Sequence, residues 1–260
     1  MKRILLSLAV SGAVLGTAIY ATNAFFSDVE TSTGNTFTAG KLDLKVDSTQ
    51  HYNGNVCSNT STEQNPVYQW VGQDLYPVPN TPCTGSWSLD SLAGKKFFDF
   101  ADVKPGDDGE NTISLHVYNN PAWACMRIEN IVDNGQLDTN TQFKVWADIC
   151  TPQLNAEFSS ATVGDNIYQP LCDKEIANGT LPVLADTWTL SDSVTNVFGT
   201  TPAPLDPNQT YYVGVSWDLP TTTGNEVQGA SYLADVAFYT EQHRNNPDFK
   251  CADWPTPQAP

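Results

Sequence analysis

An all-β fold, a single antiparallel β-sandwich of jelly-roll type with loop insertions, is what this sequence predicts. Three observations carry it. Period-two alternation of apolar and polar residues recurs along the chain, 3.6-residue periodicity hardly appears beyond the first 24 residues, and turn formers abound, with 17 Gly and 17 Pro in 260 residues. Aromatic residues at 11% and charged residues at only 16% are the usage of a turn-rich β protein and argue against a helix bundle. Hydrophobic residues at 40% of such a length are enough to close one large core. The formal charge of −17, from 29 acidic against 12 basic residues, repels a phosphate backbone and excludes nucleic acid as a partner.

The elements follow in order. Residues 1–24, MKRILLSLAVSGAVLGTAIYATNA, place Lys2 and Arg3 before an apolar run that ends in small residues around Asn23, the pattern of a secretory signal peptide. The competing expectation is a retained anchor, but an apolar run of about 17 residues sits at the lower limit for spanning a bilayer, and Gly12 and Gly16 weaken a spanning helix. A secreted protein, extracellular or on the cell surface, is therefore expected. Residues 25–38 form an N-terminal strand, 39–250 the sandwich and 251–260 a C-terminal tail.

Within the sandwich, KLDLKV (41–46) sets Leu42, Leu44 and Val46 on one face, and NTISLHVY (111–118) does the same with Ile113, Leu115 and Val117. AWACMRIENI (122–131) and TQFKVWADI (141–149) read as two further strands, YYVGVSWDL (211–219) aligns Tyr211, Val213, Val215, Trp217 and Leu219, and SYLADVAFY (231–239) aligns Tyr232, Ala234, Val236 and Phe238. FFDFADV leads into a turn at Lys104-Pro105-Gly106-Asp107-Asp108-Gly109. From about 47 to 96 the rhythm breaks, which predicts a disulfide-stapled insertion. Residues 151–208 are loop-rich, with one short helix expected at about 190–198 capped by Ser191.

The chain has six cysteines, an even number without a CxxC pair, and in an exported chain this reads as a disulfide framework. Cys57 with Cys83 and Cys150 with Cys172 are favoured because each pair lies close in sequence across a polar loop, which leaves Cys125 for Cys251 as a clasp on the tail; parity alone allows 15 connectivities.

AFFSDVETSTGNTFTAGKLDLKV after the signal, FADVKPGDDGENTISLHVYNN in the middle and YLADVAFYTEQHRNNPDFKC near the end resemble the TasA/camelysin family, and the first of these resembles the start of exported proteins processed by a SipW-type signal peptidase. Residues 47–96 and 150–208 carry no such likeness. The resemblance implies a secreted structural subunit that polymerises with its own copies into an extracellular fibre, a pilus or a biofilm matrix. The implied mechanism is donor-strand exchange, in which the segment from Phe25 to about Thr38 completes a sheet of the next subunit. The residues suit that role: as a strand, Phe25, Ser27, Val29, Thr31 and Thr33 share one face and Phe26, Asp28, Glu30 and Ser32 the other. Phe25, Phe26, Val29 and Thr31 are the candidate donor residues, and Leu42, Leu44, Ile113, Leu115 and Val117 line or support the acceptor. The contrary expectation is that residues 25–38 fold back as the first strand of their own monomer.

Camelysin is described as a metallopeptidase, but no HExxH occurs, His51, His116 and His243 are isolated from one another, and no GxSxG elbow is present, so neither catalytic residues nor an enzyme are expected. No cofactor is expected; calcium at Asp107, Asp108 and Glu110 is the minor alternative, since the run lacks EF-hand spacing and reads first as a solvated turn. The rings of Tyr68, Trp70, Tyr76 and Trp87 raise a second function, a carbohydrate-binding or adhesion module with cell-surface glycans as partner; the alternative for them is a small satellite core beneath a disulfide loop.

Overall fold

The computed structural model describes residues 30–32, 35–39, 44–100, 102–152, 154, 161–180 and 187–254. In chain order its strands are β1 (Glu30–Ser32), β2 (Asn35–Ala39), β3 (Leu44–Tyr52), β4 (Asn55–Asn59), β5 (Tyr68–Val71), β6 (Trp87–Asp90), β7 (Asp108–Val117), β8 (Ala122–Asp133), β9 (Gln142–Asp148), β10 (Lys174–Gly179), β11 (Thr187–Ser191), β12 (Thr210–Asp218) and β13 (Tyr232–Gln242); a one-turn helix α1 (Leu137–Asn140) precedes β9. They make an all-β, jelly-roll-like sandwich. One sheet has the order β10-β9-β12-β7-β3-β4-β5, with β6 also on β3, and the other β1-β2-β13-β8-β11. Pairing is antiparallel except between β2 and β13.

The larger sheet grows from β7, which pairs with β3 from Leu44↔Val117 to Tyr52↔Gly109 and with β12 from Thr210↔His116 to Asp218↔Asp108. Alternation then decides what faces in. Ile113, Leu115 and Val117 of β7, Leu44 and Val46 of β3 and Tyr211, Val213, Val215 and Trp217 of β12 are buried in one cluster with Ala124, Met126 and Ile128 of β8 and Val236 and Phe238 of β13. These are the positions that period two selects; Leu42 lies outside the described residues.

Two expectations are corrected. The insertion begins after Tyr52 rather than at 47, because residues 47–52 continue β3. The apolar rhythm stops there only because the inward positions become Ser48 and Gln50, both buried. Asn111, inward on β7, donates its amide to Ser48 Oγ at 2.9 Å and to the carbonyls of Gly85 and Phe97 at 3.1 Å each, while Gln50 Nε2 reaches the Phe97 carbonyl at 2.6 Å. This buried polar knot ties the connection through Trp87, Leu92 and Phe97 into the core. Nor does a helix form at 190–198: Ser191 closes β11, and Asp192 Oδ1 accepts the N–H groups of Val194 and Thr195 at 2.8 Å, an Asx turn that competes with a helical start.

The three disulfides are Cys57–Cys83, Cys125–Cys251 and Cys150–Cys172, the pairs favoured from the sequence. Two of them strap the outer faces. Cys251 and Trp254 pack on Cys125, Ala237 and Tyr239 outside the smaller sheet, where the Arg127 guanidinium lies 3.8 Å from the Trp254 ring centroid and bonds its carbonyl at 3.2 Å. Outside the larger sheet, the loop closed by Cys150–Cys172 brings Tyr168 to 5.5 Å from Trp146 and sets Gly164, at φ +83°, where a Cβ would strike the Tyr212 ring.

Asn111→Ala takes the side-chain donor from the buried Gly85 carbonyl and leaves the Phe97 carbonyl to Gln50 alone. The expected loss is about 1–3 kcal/mol of unfolding free energy, read as a lower urea midpoint with an unchanged slope.

Candidate functional site

Thr31 lies in β1; Phe25, Phe26 and Val29 lie outside the described residues. β1 and β2 form a hairpin with Glu30↔Phe37 and Ser32↔Asn35 in register, and the hairpin adds to the edge of β13 through β2. Within the subunit this part of the segment thus folds back onto its own sandwich, the contrary expectation of the sequence. Among the described residues β2 meets β13 at Phe238↔Phe37, Tyr239↔Thr38 and Thr240↔Ala39, and the other side of β13 pairs with β8 from Tyr232↔Asp133 to Gln242↔Ala122. Parallel pairing is slightly weaker per residue than antiparallel pairing. Leu44, Ile113, Leu115 and Val117 are all buried in the core between the sheets.

The acidic turn does not gather its carboxylates around one point. Asp107 accepts bonds from Tyr52 Oη and Asn53 Nδ2 at 2.8 Å each and from the Lys104 N–H at 2.7 Å, so it fastens the β3–β4 turn to the start of β7. Burial, reinforced by Asp107, Asp218 and Asp74, pushes the Asp108 carboxyl up. Glu110 faces outward opposite His51, with Oε2 3.5 Å from Nδ1, and burial raises its carboxyl despite that partner. His116 bonds Ser114 Oγ at 2.9 Å and lies 3.5 Å from Asp47, while the His243 ring stands edge-on to Trp123 at 4.8 Å. Each histidine thus has its own unrelated surroundings, and among the described residues no three His, Cys, Asp or Glu side chains are grouped to hold a metal ion. The residues present do not fit a peptidase zinc centre.

An acidic cluster that sequence reasoning missed lies under the strap on the larger sheet. Asp148, the last residue of β9, is fully buried; its Oδ2 accepts the Gly164 N–H at 3.0 Å and its Oδ1 has no protein partner. Desolvation, with Asp173 and Asp165 adding negative charge, pushes its carboxyl up to about 7. Asp173 accepts the N–H groups of Ile149, Cys150 and Gln169 at 2.8–2.9 Å, and Asp165 accepts the Gln169 amide at 3.1 Å and 3.2 Å. These bonds pin both ends of the strap. In sequence the three acids are 17 and 8 residues apart, so only the Cys150–Cys172 pairing hinted at their meeting.

The aromatic residues of the disulfide insertion join the main core rather than a satellite. Trp70 and Trp87 are buried, Tyr68 is half-buried and Tyr76 keeps 37% of its surface in water. Tyr52 is their hub, with ring centroids 6.1 Å from Trp70, 5.5 Å from Tyr76, 4.5 Å from Phe100 and 5.4 Å from Trp217. Beside it opens a cavity of about 210 Å³ lined by Tyr52, Trp70, Tyr76, Pro77, Pro82 and Phe100, with Asp99 also on its wall.

The fold and these features define an all-β, disulfide-strapped sandwich with a hairpin on one sheet edge. Residues 1–56 match the model of the Peptidase_M73 family, described as camelysin metallo-endopeptidase, so the camelysin likeness holds over the first strands, through β3 and into β4. No curated protein sequence matches the chain. Among the described residues no helix is long and apolar enough to cross a membrane.

Because the folded chain holds the Asp148 proton more tightly than the unfolded chain does, stability falls as pH rises from about 4 to about 7 and levels off above it. Asp148→Asn removes this contribution: the variant is expected to melt above the parent at pH 8 and close to it at pH 4, compared by thermal unfolding across that range.

Proposed function

We propose that this chain is a secreted structural subunit that polymerises with its own copies into an extracellular fibre, pilus or matrix, and that the exchanged element is its N-terminal strand. The observation that carries the reading is the parallel ladder by which the β1–β2 hairpin covers the edge of β13. Parallel pairing is slightly weaker per residue than antiparallel pairing, which lowers the cost of exchanging the cover, and an uncovered edge presents a row of unpaired N–H and C=O groups that accept a strand from another chain. Each subunit gives a strand to one neighbour and takes one from another, a heterologous contact that propagates as a filament unless it closes into a ring. Burying Phe25 and Val29 contributes about 3–6 kcal/mol, and ladder hydrogen bonds supply the remainder needed to offset association. The camelysin match covers the hairpin and supports secretion, while its own description is that of a metallo-endopeptidase. We read the chain as non-catalytic, since its histidines do not share a site.

Electron microscopy and size-exclusion chromatography of the oxidised chain 25–260, beside one starting at Thr36, test the reading. Regular filaments from the longer chain and monomers from the shorter are expected, and Val29→Asp in the longer chain should leave a folded monomer. Filaments from all three, or from none, would overturn it.

A further inference from the structure

The cavity beside Tyr52 is walled by rings and prolines. Tyr52, Trp70, Tyr76, Phe100, Pro77 and Pro82 line it, and its volume of about 210 Å³ exceeds the roughly 150 Å³ that takes a benzene. It has room for one compact group. Its frame is fixed by hydrogen bonds. Asn55, fully buried, donates to the carbonyls of Asp74 and Pro77 at 3.0 Å and 2.8 Å and accepts the Asp74 N–H at 3.2 Å, which holds the stretch that carries Tyr76. Cys57–Cys83 closes the same insertion.

The walls offer aromatic faces and few free hydrogen-bonding groups. Tyr52 gives its hydroxyl proton to Asp107 at 2.8 Å, and Gln50, also on the wall, commits its amide to the Phe97 carbonyl at 2.6 Å. A sugar or a primary ammonium, which must replace its bonds to water, finds little to replace them with. Around the opening the surface is acidic, with Asp74, Asp99, Asp102, Asp108 and Asp218 all exposed. Lys104 is paired with Asp102 and Lys96 with Asp99, so the other three add negative charge beyond those pairs. They stand near one another: Asp107, Asp218 and Asp74 reinforce the upward push that burial gives the Asp108 carboxyl. The Tyr76 ring already draws a cation, with Lys104 Nζ 5.4 Å from its centroid. Aromatic faces backed by carboxylates favour positive charge, whereas a neutral ring would use the walls and gain nothing from the acids.

We propose that this cavity binds a free quaternary ammonium cation of the choline class. Such a head group has the bulk of a small ring, carries no N–H that must find an acceptor, and meets aromatic faces through its positive methyl groups. The carboxylates set the selectivity as well. Choline, with a neutral hydroxyl on its arm, is admitted, whereas glycine betaine and phosphocholine bring an anion to an acidic rim. None of the residues involved belongs to the β1–β2 hairpin, so the site stands independently of the fibre reading.

Titration of the oxidised chain with choline chloride, followed by tryptophan fluorescence and calorimetry, tests the assignment. Choline is expected to saturate one site and to bind at least about tenfold tighter than phosphocholine or dimethylbutanol, its uncharged carbon isostere. Tyr76→Leu keeps an apolar wall and should weaken choline at least about fivefold. Asp74→Asn with Asp218→Asn, at two exposed positions, should weaken it several-fold at low salt and less at high salt, with circular dichroism verifying the fold of both variants. Equal affinity for choline and its isostere would reduce the cavity to an apolar hollow and overturn the proposal. So would the absence of any response to choline, even where phosphatidylcholine vesicles or an insoluble polysaccharide retain the chain.

Discussion

Everything in this molecule hangs on β7. It is paired along nearly its whole length on both sides, and its inward residues meet the smaller sheet across the core. A strand held this way leaves its neighbours no freedom of register, since a slip of one residue would turn Ile113, Leu115 and Val117 to water and bring Thr112, Ser114 and His116 inside. The polar side chains at its Gly109 end extend the same constraint. Asn111 fixes where the connection from β6 enters, and Asp107 fixes the β3–β4 turn against the strand that follows it, so the insertion is placed by hydrogen bonds to β7 and its approach.

The remaining architecture covers what that sandwich leaves open. Each sheet has an outer face, and each is crossed by a segment tethered through a disulfide: the C-terminal residues over Cys125, and the 161–173 loop over Trp146 and Asp148. A chain with net charge −17 has little positive charge to set against its carboxylates, and under the second strap it uses backbone N–H groups instead. Asp173 is met by three of them. Asp148, with one oxygen unmatched, bears the cost of that arrangement as a raised affinity for a proton.

Much of this was legible in the sequence, and the physical reason separates what was from what was not. Alternation found the strands containing Leu44, Ile113, Met126, Val145, Val213 and Phe238 because one face of each is apolar. It failed at Ser48 and Gln50, where the core itself is polar and the signal that marks a buried strand is missing. It suggested a helix at 190–198, where the side chain of Asp192 holds the backbone in a turn. Cysteine spacing pointed to the three pairs, yet no spacing rule brings Asp148, Asp165 and Asp173 together, because their meeting depends on how the strap lies across the sheet. The rings of the insertion were visible as a group, but whether they face water was not: Trp70 and Trp87 turn inward, while Tyr76 stays partly in water.

The bond between Cys125 and Cys251 joins residues 126 apart. Every strand from β9 to β13 lies between its two sulfurs, so in a chain made amino end first Cys125 exists long before its mate. The strap over the smaller sheet can close only after β13 has been made and has laid Ala237 and Tyr239 beside Cys125. A chain cut short before Cys251 leaves that face of the sheet bare and one thiol unoxidised.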